Sequence, residues 1–236
     1  MDFDERPFNY RYFAGEIGFY LMKDRNIAFI NNFSSFWKNI ADEEGNINSN
    51  YGDILFGEQL RWAYESLKND ENTRQAIAFV NQPKYQVPGN KDFVCTMYLN
   101  FWIREDRLYM KVQMRSNDIF YGLSYDAPFF ATIHQQMYHW LKPDNEKLNL
   151  GTYYHCADNI HYYERHFEMA DDILKGNHTE KFFFLRKPLF NYSENGTLEM
   201  SKHAQNYVTE LQNLIINKEH THENCKQLLE KLYFIQ

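Results

Sequence analysis

Between Leu108 and Met114 the apolar residues Leu108, Met110, Val112 and Met114 alternate with Tyr109, Lys111 and Gln113. That period of two predicts a strand with one buried face. A second apolar run, Phe93 to Ile103, precedes it across the charged tetrapeptide Arg104-Glu105-Asp106-Arg107, so the two runs predict a hairpin. The unbroken apolar segment Ala76 to Val80 predicts a buried strand, and Thr152 to Cys156 a short one. Helical patterns cover Glu16 to Asn31, Gln59 to Leu67 after the turn-rich GNINSNYGD, His161 to Leu174, Glu199 to Asn217 and Glu223 to Leu232. A further helix is predicted where Phe129, Phe130, Ile133, Met137, Trp140 and Leu141 recur at helical spacing, with Asp126 as its N-cap and Pro128 in its first turn. Strands and helices are mixed rather than alternating, which predicts the α+β class. No internal repeat or Pro/Gly/Ser-rich linker divides the chain, so residues 1–236 are expected to form a single domain, with 172–236 as its helical C-terminal part.

With 18% aromatic residues and few glycines and prolines, the 236-residue chain is suited to a well-ordered core. A net charge of -7 opposes binding to polymeric nucleic acid, which needs a basic face, yet leaves room for a few arginines around one nucleotide phosphate. No signal peptide and no membrane-spanning apolar run are read in the sequence, so no membrane partner is expected. Cys95, Cys156 and Cys225 are far apart and lack CxxC spacing, which predicts neither disulfides nor zinc and suits a reducing cytoplasm. His161 and His166, five apart, make no simple helical metal pair, and no metal is expected.

Several ordered motifs carry a resemblance. DFVCTMYLNFWI around Cys95 resembles the strand bearing the catalytic cysteine of the thymidylate synthase superfamily. MRSNDIFYGLSYDAPFFA resembles the family run that holds phosphate, folate and base, and NIHYYERHF its sugar-holding segment. FWKNIADEEGNINSNYG is similar to the Trp-containing loop, and GEIGFYLMKDRNIAF to the helix of the catalytic glutamate. The twenty residues from Cys95 to Arg115 match without a gap, and the likeness runs from about Glu16 to Asp172. It implies a thymidylate synthase-like fold, a central mixed sheet flanked by helices, and a homodimer joined through the sheets.

By the same resemblance, Cys95 would attack carbon 6 of a pyrimidine, with Arg115 nearby to favour the thiolate. Taken locally, Cys95 reads as a buried core cysteine in a strand, and it is the ordered motifs that turn the reading toward a nucleophile. Arg115 and Ser116 would hold the nucleotide phosphate, and Arg74 would reach the partner's phosphate, although Gln75 stands where the family commonly has a second arginine. Glu16 would organise water and proton transfer. His161 and Tyr163 would bond the sugar, while Trp37, Tyr51 and Asp118 would shape the pocket for 5,10-methylenetetrahydrofolate. Only fifteen residues precede Glu16, so the family's arginine-bearing phosphate loop has no counterpart, and Arg6 and Arg11 are the cations near that position.

Where thymidylate synthases have an asparagine facing uracil, this chain has Asp126, and that change, with NINSNYG and MRSND, resembles the phage deoxycytidylate (dCMP) hydroxymethylases. A carboxyl group can accept from cytosine's amino group and, when protonated, donate to N3. Thr96, where synthases usually have histidine, points the same way. The expected reaction converts dCMP, methylenetetrahydrofolate and water to 5-hydroxymethyl-dCMP and tetrahydrofolate. A pyrimidine C5-methylase and a non-catalytic nucleotide-binding relative are the alternatives.

Overall fold

The computed structural model describes residues 2–3, 6–193 and 196–236. Its first helix, α1 (Tyr10–Met22), starts where the Asn9 side chain accepts from the Tyr12 amide, and stops where Lys23 turns left-handed at φ 59°. The helix therefore lies earlier than the 16–31 expectation. Beyond Lys23, Asp24 and Asn26 accept from the amides of Asn26 and Ala28, so the chain leaves as turns ending in a short 3-10 segment, Ile30–Asn32. The short α2 (Tyr51–Ile54) and α3 (Leu60–Asn69) follow, separated by a kink at Phe56 and Gly57.

The central sheet runs in the order β2 (Ile77–Phe79), β3 (Thr96–Arg104), β4 (Arg107–Met114) and β6 (Asn149–Ala157). Strands β3 and β4 form the predicted antiparallel hairpin, and Glu105 and Asp106 turn it at φ 51° and 55°, the handedness a tight two-residue hairpin turn needs. Strand β6 joins β4 in parallel, which makes the sheet mixed. Leu99, Phe101, Leu108, Met110, Val112 and Met114 face the core and are buried. The opposite face carries Trp102 stacked on Tyr109 and Tyr154, with Phe79 exposed nearby.

Helix α4 (Leu123–Leu141) packs across the core face. It begins three residues before Asp126, whose amide already donates to Gly122 O, so Asp126 is not the N-cap and Pro128 lies beyond the first turn. The turn is instead held by Asp118, whose Oδ1 accepts from the amides of Phe120 and Tyr121. Asp118 belongs to β5 (Asn117–Asp118), paired in parallel with β7 (Ile160–His161). That pairing draws His161 out of the predicted helix. A 3-10 turn, Glu164–His166, leads instead into α5 (Phe167–Lys175).

Residues 172–236 are less helical than expected. Helices α6 (Lys202–Ile216) and α7 (His222–Leu232) are present, the first delayed because Leu198–Met200 (β11) pairs with Phe190–Tyr192 (β10). Strand β9 (Phe183–Leu185) pairs with β12 (Tyr233–Ile235), and β1 (Asp2–Phe3) with β8 (His178–Thr179). Buried Gln135 and Gln136 of α4 donate to Phe183 O and Phe190 O and accept from the amides of Leu185 and Leu189. Two amides thereby substitute for a sheet edge and fasten this region to the core. Among the described residues no helix is long and apolar enough to cross a membrane.

Candidate functional site

Cys95 lies immediately before β3 and Arg115 immediately after β4, so the hairpin register returns one to the other. The Arg115 amide donates to Cys95 O at 2.9 Å, and its Nη2 approaches Cys95 Sγ at 3.5 Å. The guanidinium is held over the Phe93 ring by donation to the carbonyls of Phe93 and Val94. Burial pushes the Cys95 thiol up, Arg115 pulls it down, and Asp126 and Asp92 add smaller upward pushes.

The GNINSNYG loop is built to deliver Tyr51 beside this cysteine. Asp92 Oδ2 accepts from the amides of Asn48 and Ser49 and from the Ser49 hydroxyl, at 2.7 to 2.8 Å. Buried Asn50 donates to Phe19 O and Asp24 O, and a Cβ at Gly52 would fall 1.7 Å from Tyr20 O, so only glycine permits the loop's approach to α1. Tyr51, stacked on Phe129, accepts from the hydroxyl of Thr96 at 3.0 Å.

Two carboxyl groups close the site. Glu16 Oε1 accepts from Tyr12 and Tyr20, one turn before and one turn after it on α1, at 3.1 and 3.2 Å. Asp126, half-buried with its carboxyl deep among protein atoms, accepts at Oδ2 from Asn117 Nδ2 at 2.6 Å. Burial first, and the Asp126 charge second, push Glu16 up to about 8 against the pull of its two phenols. Burial pushes Asp126 up to about 7 although Asn117 opposes the shift. Near neutrality both groups therefore hold protons for a large part of the time, the condition for acid–base work at pH 7. The phenols of Tyr12, Tyr20, Tyr51 and Tyr153 are held neutral by burial and by the same carboxylates.

Of the residues singled out in the sequence, Cys95, Arg115, Glu16, Tyr51 and Asp126 are linked by these contacts and mutual electrostatic influence. Ser116 sits half-buried between Arg115 and Asn117. His161 lies opposite Asp118 across the β5–β7 pair, and its ring is 5.4 Å from that of Tyr163, which is open to solvent. Trp37 is 5% exposed, packed on Phe19 and Phe36, and its Nε1 has no hydrogen-bond partner among the described residues.

Arg74 is not brought to this cluster. It is exposed in a bend of the loop before β2, a strand that pairs with β3 at Ile77–Asn100. Arg11 is committed to the carbonyls of His220, Phe33 and Asn32. Arg6 donates to Ser124 Oγ at 3.0 Å and lies over the rings of Tyr121 and Tyr125. The phenols around Glu16 and the Asn117 grip on Asp126 were missed in the sequence. The i±4 spacing of Tyr12 and Tyr20 was a usable signal, whereas nothing local links Asn117 to Asp126. Among the described residues, no three His, Cys, Asp or Glu residues cluster to hold a metal.

Comparison with known proteins gives these contacts a context. A deoxyuridylate hydroxymethyltransferase of Bacillus phage SP01 is 35% identical over 124 residues, 50% of this chain and 31% of that protein. A deoxycytidylate 5-hydroxymethyltransferase of Enterobacteria phage T4 is 28% identical over 153 residues, 61% of this chain and 62% of that protein. The matched segments thus span less than two thirds of either relative's length. The thermostable thymidylate synthase A of Bacillus subtilis superposes with a TM-score of 0.60 at 17% identity, covering 75% of this chain and 66% of that one, which establishes the fold. The sequence pattern of thymidylate synthase matches residues 4–222. This chain is a member of the thymidylate synthase family.

Proposed function

We propose that this chain transfers a hydroxymethyl group to carbon 5 of a cytosine nucleotide, dCMP being favoured over CMP. What supports this most directly is a carboxyl group, Asp126, raised to about 7, in the same cluster as a cysteine paired with an arginine. Cys95 as thiolate would bond carbon 6, moving the C5–C6 electron pair to carbon 5. Arg115 and Ser116 would hold the phosphate, and His161 and Tyr163 the sugar. Asp126 would donate to N3 from its protonated oxygen. Methylenetetrahydrofolate would supply the one-carbon unit. Trp37, with its buried unpaired Nε1–H, suits an acceptor of a flat heteroaromatic ring, and Asp118, next to exposed Tyr121, suits a ring N–H donor. Carbon 5 would bond the methylene carbon and lose its proton, and the CH2–N bond would break to release tetrahydrofolate and leave an exocyclic C5=CH2. Glu16 would then take a proton from water as the hydroxyl bonds that exocyclic carbon and the double-bond pair moves to carbon 5. The electron pair then returns to the C5–C6 bond, the C6–S bond breaks, and Cys95 leaves as thiolate.

A homodimer belongs to the same proposal. The aromatic face of exposed Phe79 and Tyr154 and half-buried Trp102 and Tyr109 is suited to a second sheet, and Arg74 would serve the partner's nucleotide. The deciding experiment incubates the protein with dCMP, CMP or dUMP and methylenetetrahydrofolate, followed by mass spectrometry of the nucleotide. 5-Hydroxymethyl-dCMP without a rise in dihydrofolate absorbance is expected. A methylated product with dihydrofolate would replace hydroxymethylation by methylation, and absence of any product would remove the enzymatic reading. Hydroxymethylation of dUMP is the second reading, favoured by the similarity to the SP01 protein. Asp126→Asn should shift preference toward dUMP by tenfold or more, since an unpaired buried polar group costs roughly 1–3 kcal/mol, and equal relative activity on both bases would contradict the role given to Asp126.

A further inference from the structure

We infer that Asn117 is a specificity-determining residue for the base: by gripping one oxygen of Asp126 it assigns the proton to the other, and its own amide oxygen favours an amino group over a carbonyl at position 4 of the pyrimidine. This rests on the function proposed above and goes beyond it by naming what makes Asp126 select cytosine.

Asn117 is only 4% exposed. Its backbone amide donates to Asn159 O at 3.0 Å, and the β5–β7 pairing fixes the residue between Arg115 and the start of α4. Gly122 keeps this space open, because a Cβ there would lie 2.9 Å from Asn117 Nδ2. Nδ2 donates to Asp126 Oδ2 at 2.6 Å, while Oδ1 is buried with no hydrogen-bond partner among the described residues. A buried amide oxygen left in this state is costly unless something donates to it.

The consequence follows from donor and acceptor identities. An amide nitrogen can only donate, so Asp126 Oδ2 must accept, and the hydrogen of neutral Asp126 resides on Oδ1. Oδ1–H is then available to an unprotonated ring nitrogen, as in cytosine N3. Asp126 Oδ2 and Asn117 Oδ1 are both acceptors, and together they suit an exocyclic amino group with two hydrogens. Uracil offers the reverse set, a ring N–H and a carbonyl, and its carbonyl would face two acceptors. Asparagine here thus both orients the carboxyl and repels the wrong base.

The test measures kcat/KM for dCMP and dUMP in the wild type and in Asn117→Ala, with folding checked by thermal melting. The dCMP/dUMP ratio should fall at least tenfold, with the loss concentrated on dCMP. The ionisation assigned to Asp126 in the pH profile should also move up, because a donor that favours its charged form has been removed. A ratio unchanged within twofold, equal losses on both substrates, or a wild-type preference for dUMP would overturn the inference. If the wild type turns over neither nucleotide, the proposed function falls, and calorimetric binding of dCMP against dUMP to the two proteins still decides the role of Asn117. Asn117→Ser provides the same comparisons should the alanine variant not fold.

Discussion

Replacing Arg115 by glutamine isolates the device that makes Cys95 reactive. The substitution keeps an amide donor near the carbonyls of Phe93 and Val94 but removes the charge whose Nη2 stands 3.5 Å from Sγ. Two unit charges at that distance interact by about 4–5 kcal/mol at an effective dielectric near 20. Cys95 and Arg115 are both only partly buried, so solvent and salt leave roughly a third of this, ~1.4 kcal/mol or about one pH unit. Burial already pushes the thiol up, and losing Arg115 adds to that push. Arg115 is also proposed to bind phosphate, so turnover would confuse two effects, and the thiol should be titrated without substrate. In a Cys156→Ser background, with Cys225 buried, iodoacetamide alkylation of Cys95 followed by mass spectrometry reads the thiolate fraction directly. The midpoint should rise by about one pH unit in Arg115→Gln, with slower alkylation at neutral pH. An unchanged or lower midpoint would refute the pairing of guanidinium and thiolate.

Two further outcomes concern stability. Gly52→Ala should cost about 3 kcal/mol or more, because its Cβ would lie 1.7 Å from the carbonyl oxygen of Tyr20, and a urea midpoint close to the wild-type value would contradict the close approach. Glu16 and Asp126 are raised in the folded state from ordinary values of 4.5 and 3.8 to about 8 and about 7. Their contribution to stability is complete below the unfolded values and is lost as pH rises through the folded ones. Between roughly pH 4 and 8 each group lowers stability by up to about 1.4 kcal/mol per pH unit. The urea midpoint of wild type should fall across that window more steeply than that of Glu16→Gln, and parallel profiles would show that Glu16 is not raised.

Much of this protein was legible in one dimension. The alternation from Leu108 to Met114 and the charged tetrapeptide before it specify the hairpin, because a strand with one wet face must alternate and a tight turn must be polar. The ordered motifs from Glu16 through NIHYYERHF identify the family and the residues worth examining. Helix ends were read less well. Asp126 has the character of an N-cap, yet Asp118 already holds the turn that leads into α4, and two competing local signals are resolved only by where the chain must go. His161 likewise joins a strand because a distant strand is there to pair with.

The chemistry itself belongs to the tertiary structure. Glu16, Tyr51, Cys95 and the run holding Asn117 and Asp126 are four separate stretches, and only packing places their polar atoms in one water-poor space. Hydrophobic pattern encodes which face of an element is buried, but not what that face meets. The raised carboxyl groups and the Asn117 grip are properties of neighbours and of lost water, so they arise when the chain closes around them rather than from residue identity alone.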